Sequence, residues 1–260
     1  MNLRATGAAF KQQAIHFFAD PQWIIPSIIA PFIFTVVVLF MNGSGDGPAV
    51  LQAVLGGGVL GMWGNTIFAS GYSVSYDRYN GTVDPIMVSS SSLMDVVAGR
   101  CLWNTIIGLI NALLVFIVAE LMFQAPMNIE NPLMFFAVLL LTLGSLSSIG
   151  MIFSACFVWT RASSALFAVL EFPIYILSGA MIPLTMLGGF QYVSYILPPT
   201  WGVDALKKSA LGTYEGMMGT TMAESILVMA VLMVVYLLVA LMMFKVIERN
   251  VRVTGSMTRY

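Results

Sequence analysis

The chain has 260 residues, of which 59% are hydrophobic and 9% charged, with a formal net charge of −1. A soluble globular domain carries about 25% charged residues, so the composition indicates a polytopic membrane protein and offers no polybasic surface for nucleic acid. The single histidine, His16, lies near the N-terminus, and the two cysteines, Cys101 and Cys156, fall near predicted span ends; no histidine-based active site, metal cluster or disulfide framework follows.

Residues 2–19 carry Leu3, Gly7, Phe10, Ala14 and Phe17 on one stripe at ~100° per residue. Arg4 and Lys11 flank it and Gln12 lies opposite. This pattern predicts a helix lying in the membrane interface; a helical tail in the aqueous phase is the alternative. Asp20-Pro21 is a helix start, with Asp as N-cap and Pro at the first helical position. The apolar run behind it starts too late and is too long for the core of a cleavable signal peptide.

Span 1, about 23–41, contains Pro26 and Pro31, which should bend it. Span 2, about 53–72, has a small-residue face of Gly56, Gly57, Gly58, Gly61 and Gly64. Such faces let helix backbones approach closely, within a subunit or between two. Residues 73–100 form the longest polar interruption. Span 3, about 101–123, places Asn104 and Asn111 seven apart on one face. Asn131-Pro132 opens span 4, which runs to about 159. A short loop with Arg161 leads to span 5, about 163–180.

Breaks are predicted at Ser178-Gly179 and Pro183. The next apolar run, 184–197, has 14 residues and ends at Pro198-Pro199. A crossing helix needs about 20. The run predicts a re-entrant or interfacial helical hairpin after span 5, within a segment 181–212. Broken backbone at membrane depth is tolerated only where protein or a water-filled cavity covers it, so this hairpin should line a path. A short helix over 200–211 follows, with Gly212 at its C-cap and Lys207 and Lys208 in its last turns. Asp204 has local helix-pair spacing to both lysines. Thr221-x-x-Glu224 is a capping box opening span 6, about 222–244.

With both termini inside, nine of the eleven Lys and Arg residues lie on the inner side; only Lys207 and Lys208 lie outside. The positive-inside rule therefore favours six spans over seven. Glu171 lies ten residues past Arg161, or ~15 Å along a helix, near the midplane. Two readings stand for it: a residue of a transport path, or a protonated acid hydrogen-bonded to a neighbouring helix.

The stretch Asp77-Arg78-Tyr79-Asn80-Gly81-Thr82, followed by Val88-Ser89-Ser90, resembles the E-R-E-x-G-T…(L/V)-x-S-P loop of type-2 ABC transporter permeases, the drug and polysaccharide exporter class. Leu177-Ser178-Gly179…Ile182-Pro183…Leu197-Pro198-Pro199…Asp204-Ala205-Leu206-Lys207 is similar to the same family's L-S-G…P…L-P…D-A-(L/F)-R signature. Phe18-Ala19-Asp20-Pro21…Pro31 matches its entry into span 1. The motifs occur in order over nearly the whole chain. Departures are Asp77 for the first loop glutamate, Tyr79 for the second, and Ser90 for the proline.

The resemblance implies an all-α polytopic membrane protein forming a single transmembrane domain over 1–260. It would have six transmembrane helices, the N-terminal amphipathic interfacial helix, a cytoplasmic coupling loop over 73–100 and the re-entrant hairpin. Two copies would form the pore, each binding a separate ABC ATPase subunit that holds ATP and Mg. The chain has no GxxxxGK[ST] phosphate loop, so it is expected to be a transport subunit, not an enzyme, with no cofactor or metal of its own. Asp77, Arg78, Gly81, Thr82, Met87 and Ser89 would couple to the ATPase, Gly81 permitting a tight turn and Thr82 capping the next helix. Glu171, Ser178, Gly179, Asn104 and Asn111 are the candidates for the substrate path.

The function read from all this is a plasma-membrane exporter permease moving a hydrophobic or amphipathic small molecule outward. Export of a lipid-linked polysaccharide is the alternative within the family. An ion-coupled secondary transporter is the alternative outside it, but that class usually shows inverted repeats with broken helices in both halves, and here only span 5 is clearly broken.

Overall fold

Apolar runs of this length, with no partner for their backbone groups except themselves, must become helices in a membrane. The computed structural model describes residues 2–19, 47–89, 91–123, 129–159, 173–180, 182, 184–212 and 219–254, with isolated positions among 25–40 and residue 169. The elements are α1 (Leu3–Ala19), α2 (Gly47–Trp63), a π-helical turn (Gly64–Phe68), α3 (Ala69–Tyr79), α4 (Val83–Val88), α5 (Leu93–Phe123), α6 (Pro132–Trp159), a 3-10 stretch (Leu184–Phe190), a short turn of helix (Gln191–Ser194), α7 (Pro198–Leu211) and α8 (Met222–Thr254). No strand occurs among the described residues. Among the described residues, four helices are long and apolar enough to cross a membrane: Val50–Tyr79, Leu93–Leu121, Pro132–Val158 and Met222–Val251. They coincide with predicted spans 2, 3, 4 and 6. Span 1, the first part of span 5 and Glu171 lie outside the described residues.

Helix ends differ from the sequence expectation. The interval 73–100 is not one loop: α3 continues to Tyr79 and α5 begins at Leu93. The physical reason is that polarity marks where the apolar slab stops, and a helix can project beyond it when its polar residues find partners. The same holds for α8, which runs past Phe244 to Thr254. The starts of α6 at Pro132 and of α8 at Met222 fall where the cap signals placed them. The capping box is formed: the Thr221 N–H donates to Glu224 Oε2 at 2.7 Å, and the Glu224 N–H to Thr221 Oγ1 at 3.3 Å.

Two apolar cores run through the bundle. One joins α2, α5, α6 and α7 around Trp63, Leu139, Leu143, Leu146 and Leu206. The other, around Leu93, Val97, Val158 and Phe244, lies at the opposite end, between α3, α5, α6 and α8. On α5, Leu102, Ile106, Ile110, Leu113, Ile117 and Leu121 stay exposed as one helical stripe. That is a lipid-facing surface for a helix in a bilayer.

Small residues set the close contacts. A Cβ on Gly56 would lie 2.2 Å from the Ala180 carbonyl oxygen, so part of the predicted glycine face packs within this chain. A Cβ on Gly99 would lie 2.2 Å from the Thr6 carbonyl oxygen, which fixes α1 tightly across α5. The predicted stripe is divided: Phe10 and Phe17 pack on Trp103 of α5, while its N-terminal end faces outward. Thr6 and Ala9 are the buried residues of α1, whereas Leu3 is 75% exposed. The most deeply buried face is rotated by ~90° from the centre of the apolar stripe, at ~100° per residue. Close approach to Gly99 selects small residues there over large apolar ones.

Residues 173–177 are helical and break at Ser178-Gly179, where Gly179 has φ +73°, as the sequence predicted. α7 carries Pro at its first positions and ends at Gly212. Its start packs near the middle of α6 and α8, a Cβ on Gly202 lying 2.6 Å from Thr142 Cγ2. Its end meets the beginnings of both helices: Asn131 donates its N–H to the Ser209 carbonyl at 3.3 Å, and Lys208 Nζ donates to Ser225 Oγ at 2.9 Å.

Candidate functional site

The corner between α3 and α4 is built by three residues, Asn80, Gly81 and Thr82. Gly81 adopts φ +68°, a conformation that costs a side chain about 1–2 kcal/mol. Thr82 stands at the N-cap position of α4 but makes no cap bond to it. Its hydroxyl turns back instead and donates to Asp77 Oδ1 at 3.0 Å. That corrects the expected capping role: the hydroxyl finds a stronger, charged acceptor one turn behind. Ser89 closes the other end of α4, its Oγ donating to the Ile86 carbonyl at 2.7 Å. Between them α4 anchors Val83 and Ile86 in the neighbouring apolar core and turns its far end outward, with Val88 89% exposed and Tyr79, just before the corner, 90% exposed. Met87 lies within α4, its side chain outside the described set.

Asp77 is not at the surface. It is 3% exposed and forms an ion pair with Arg100 of α5, also 3% exposed. Arg100 Nη2 donates to Asp77 Oδ1 at 3.1 Å and to Gln12 Oε1 of α1 at 3.2 Å, while Nη1 donates to the Ser73 carbonyl at 3.3 Å and to Asp77 Oδ2. One guanidinium therefore ties α1, α3 and α5 together. A buried pair of this kind is net stabilising only with further hydrogen bonds, and removing one partner typically costs about 3–5 kcal/mol. Arg78, on the next face of α3, donates to the Val158 carbonyl at the end of α6.

A cavity of about 50 Å³ lies directly beside this pair, between α1, α5 and the α2–α3 helix. Its lining includes Gln12, Gln13, Asn65, Tyr72, Arg100 and Asn104. Asn65 belongs to the π-helical turn Gly64–Phe68, a distortion often found at functional positions. Asn104 accepts from Gln13 Nε2 at 3.3 Å and donates to Ser70 Oγ at 3.2 Å.

The sequence candidates thus separate into two groups. Asp77, Thr82 and Asn104 share one end of the bundle. Ser178 and Gly179 belong to the other, where the Gly179 carbonyl accepts from Lys207 Nζ at 3.1 Å and Ser178 Oγ donates to the Tyr175 carbonyl at 2.8 Å. Asn111 is buried on α5, and its Nδ2 has no partner among the described residues. Lys208 and Asp204 form the predicted local pair at 2.5 Å, buried and joined by Ser225 and Thr220. Sequence reasoning missed Arg100, Gln12 and Gln13 as site residues. The only signal was a lone cation at the foot of span 3 and a pair of glutamines on the amphipathic α1.

A helical bundle with an exposed short helix on a braced corner agrees with the order of the motifs. Among curated proteins, none matches the chain. Residues 4–211 match the family described as ABC-2 type transporter, a stretch that holds α1 through α7. The chain belongs to the ABC-2 type transporter family, as a membrane permease.

Proposed function

We propose that the chain is the permease subunit of an ATP-driven exporter in the plasma membrane. Two copies form the pore, each docking one separate ATPase subunit at the α3–α4 corner, with both termini cytoplasmic. The observation that carries this reading is the form of the corner: an exposed helix, α4, held by a positive-φ glycine on a base that a buried ion pair locks to three helices. A plain surface loop needs no such base. A push on α4 passes through Thr82 and Asp77 to Arg100, and from there to α1 and α5 together. Arg78 carries the same displacement to the end of α6. In this account Asp77 is a positioning residue, and the docking surface is Tyr79, Val88 and their exposed neighbours.

The segment 173–211 is proposed as the re-entrant hairpin on the outer side. α7 has 14 residues, ~21 Å at 1.5 Å per residue, so its span is too short to cross. Its base at Thr142 and its top at Asn131 fit a helix occupying the outer half of the bilayer. The cargo is proposed to be a hydrophobic or amphipathic small molecule.

Gly81→Pro tests the docking. Proline holds φ near −65° and cannot adopt the φ of Gly81. The variant should elute as the parent does yet lose association with the co-expressed ATPase by about tenfold or more. Undiminished association and transport would remove this corner from coupling.

A further inference from the structure

The cleft beside Arg100 has an unmet donor. Four of the five guanidinium N–H groups reach Asp77, Ser73 and Gln12, but Arg100 Nε has no acceptor among the described residues. A buried donor left unsatisfied costs about 1–3 kcal/mol, and the residue that carries it lines an open cavity. Trp103, one residue round α5 from Asn104, has the same feature: its Nε1 is buried without a partner. The rest of the lining supplies amides and phenols, from Gln12, Gln13, Asn65, Asn104, Tyr72 and Tyr76. The two charges in the wall cancel each other. One side of the cleft is therefore rich in hydrogen bonding without net charge.

The other side is apolar. Phe17 lines the cleft and also packs on Trp103 at 6.3 Å between ring centroids; Phe10 and Phe18 meet the same indole at 5.4 and 5.9 Å. Beyond them begins the exposed stripe of α5, with Leu102 and Ile106. A polar recess thus opens beside an aromatic shelf and an apolar track.

We propose that this cleft receives the head of an amphipathic molecule from the cytoplasmic leaflet, an uncharged head bearing hydroxyl or carbonyl oxygens, with its tail along the α5 stripe. The head would supply the acceptor that Arg100 Nε lacks and exchange hydrogen bonds with Gln13 and Asn104. A net anion would meet Asp77, and a net cation would meet Arg100, each at a loss. The inference rests on the transporter reading and narrows its cargo to neutral-headed amphiphiles entering between α1 and α5.

The test uses the full-length chain in phosphatidylcholine nanodiscs without any ATPase. The probe is 1-dodecylglycerol carrying a photoreactive diazirine near its small diol head, and the crosslinks are mapped by mass spectrometry. Labelling should concentrate on the peptides containing Gln13 and Asn104. Unlabelled 1-dodecylglycerol should compete about tenfold better than dodecylphosphocholine, dodecyl sulfate or dodecyltrimethylammonium. Gln13→Leu, on the outer layer, and Asn104→Leu should each lower labelling about fivefold. Labelling spread evenly along α5, equal competition by the charged or zwitterionic heads, or full labelling in both variants would overturn the proposal. Because no ATPase is present, failure here leaves coupling at the α3–α4 corner untouched, and loss of coupling leaves this result standing.

Discussion

Arg100 is the residue on which the α4 end of the bundle depends. Its side chain, like that of Asn104 one turn on, touches both α1 and α3 from α5, and it alone of the two does so with a charge. Arg100→Met should leave the Asp77 carboxylate buried and unpaired, and lower stability by about 3–5 kcal/mol. Denaturant unfolding of the purified chain in mild detergent measures this. Asp77→Leu combined with Arg100→Met should recover most of the loss, because the uncompensated charge is gone. A single variant as stable as the parent would show that the pair carries no weight. Asp77 was legible in the sequence as a charge at the foot of a span. Its burial was not, because hydropathy averages over a window and cannot say whether a side chain points to water or to another helix. Arg100, twenty-three positions away, becomes its partner only through the fold-back of α5 against α3.

The helix starts at Pro132 and Met222 were legible, since proline and capping side chains act locally and need no tertiary partner. The far ends of α3 and α8 were not, because nothing local stops them at the edge of the apolar slab. α1 shows the limit most clearly. Its period was legible, but the side it turns to α5 could not be read from α1 alone, because Gly99 on another helix decides which side of α1 can approach. Gly99→Val should push α1 off α5. Cysteines at Gln13 and Asn104, whose side-chain tips are hydrogen-bonded in the parent, should be joined by a short bifunctional thiol reagent there, and about tenfold less in the Gly99→Val background. Equal crosslinking in both would show that α1 does not depend on this contact.

For the molecule as a whole, the two ends of the bundle have different work. One end holds α4 and the Arg100 cluster; the other holds α7 with the buried Lys208–Asp204 pair. In the proposed six-span arrangement they lie on opposite sides of the membrane. A cysteine at Gly188 should react with an impermeant thiol reagent added outside sealed cells, and a cysteine at Val253 should not; labelling of the latter alone would invert the topology. The central claim is that energy enters at α4 and passes through Asp77 to the helices. Asp77→Asn keeps the shape of the side chain and one acceptor oxygen, and removes the charge and the second acceptor that Arg100 uses. The most direct measurement is ATP-driven transport in proteoliposomes by this variant, assembled with its ATPase, alongside the ATPase affinity. The account predicts binding within about twofold of the parent and transport lowered by about tenfold or more. Full transport, or loss of ATPase binding with no defect beyond it, would contradict the account.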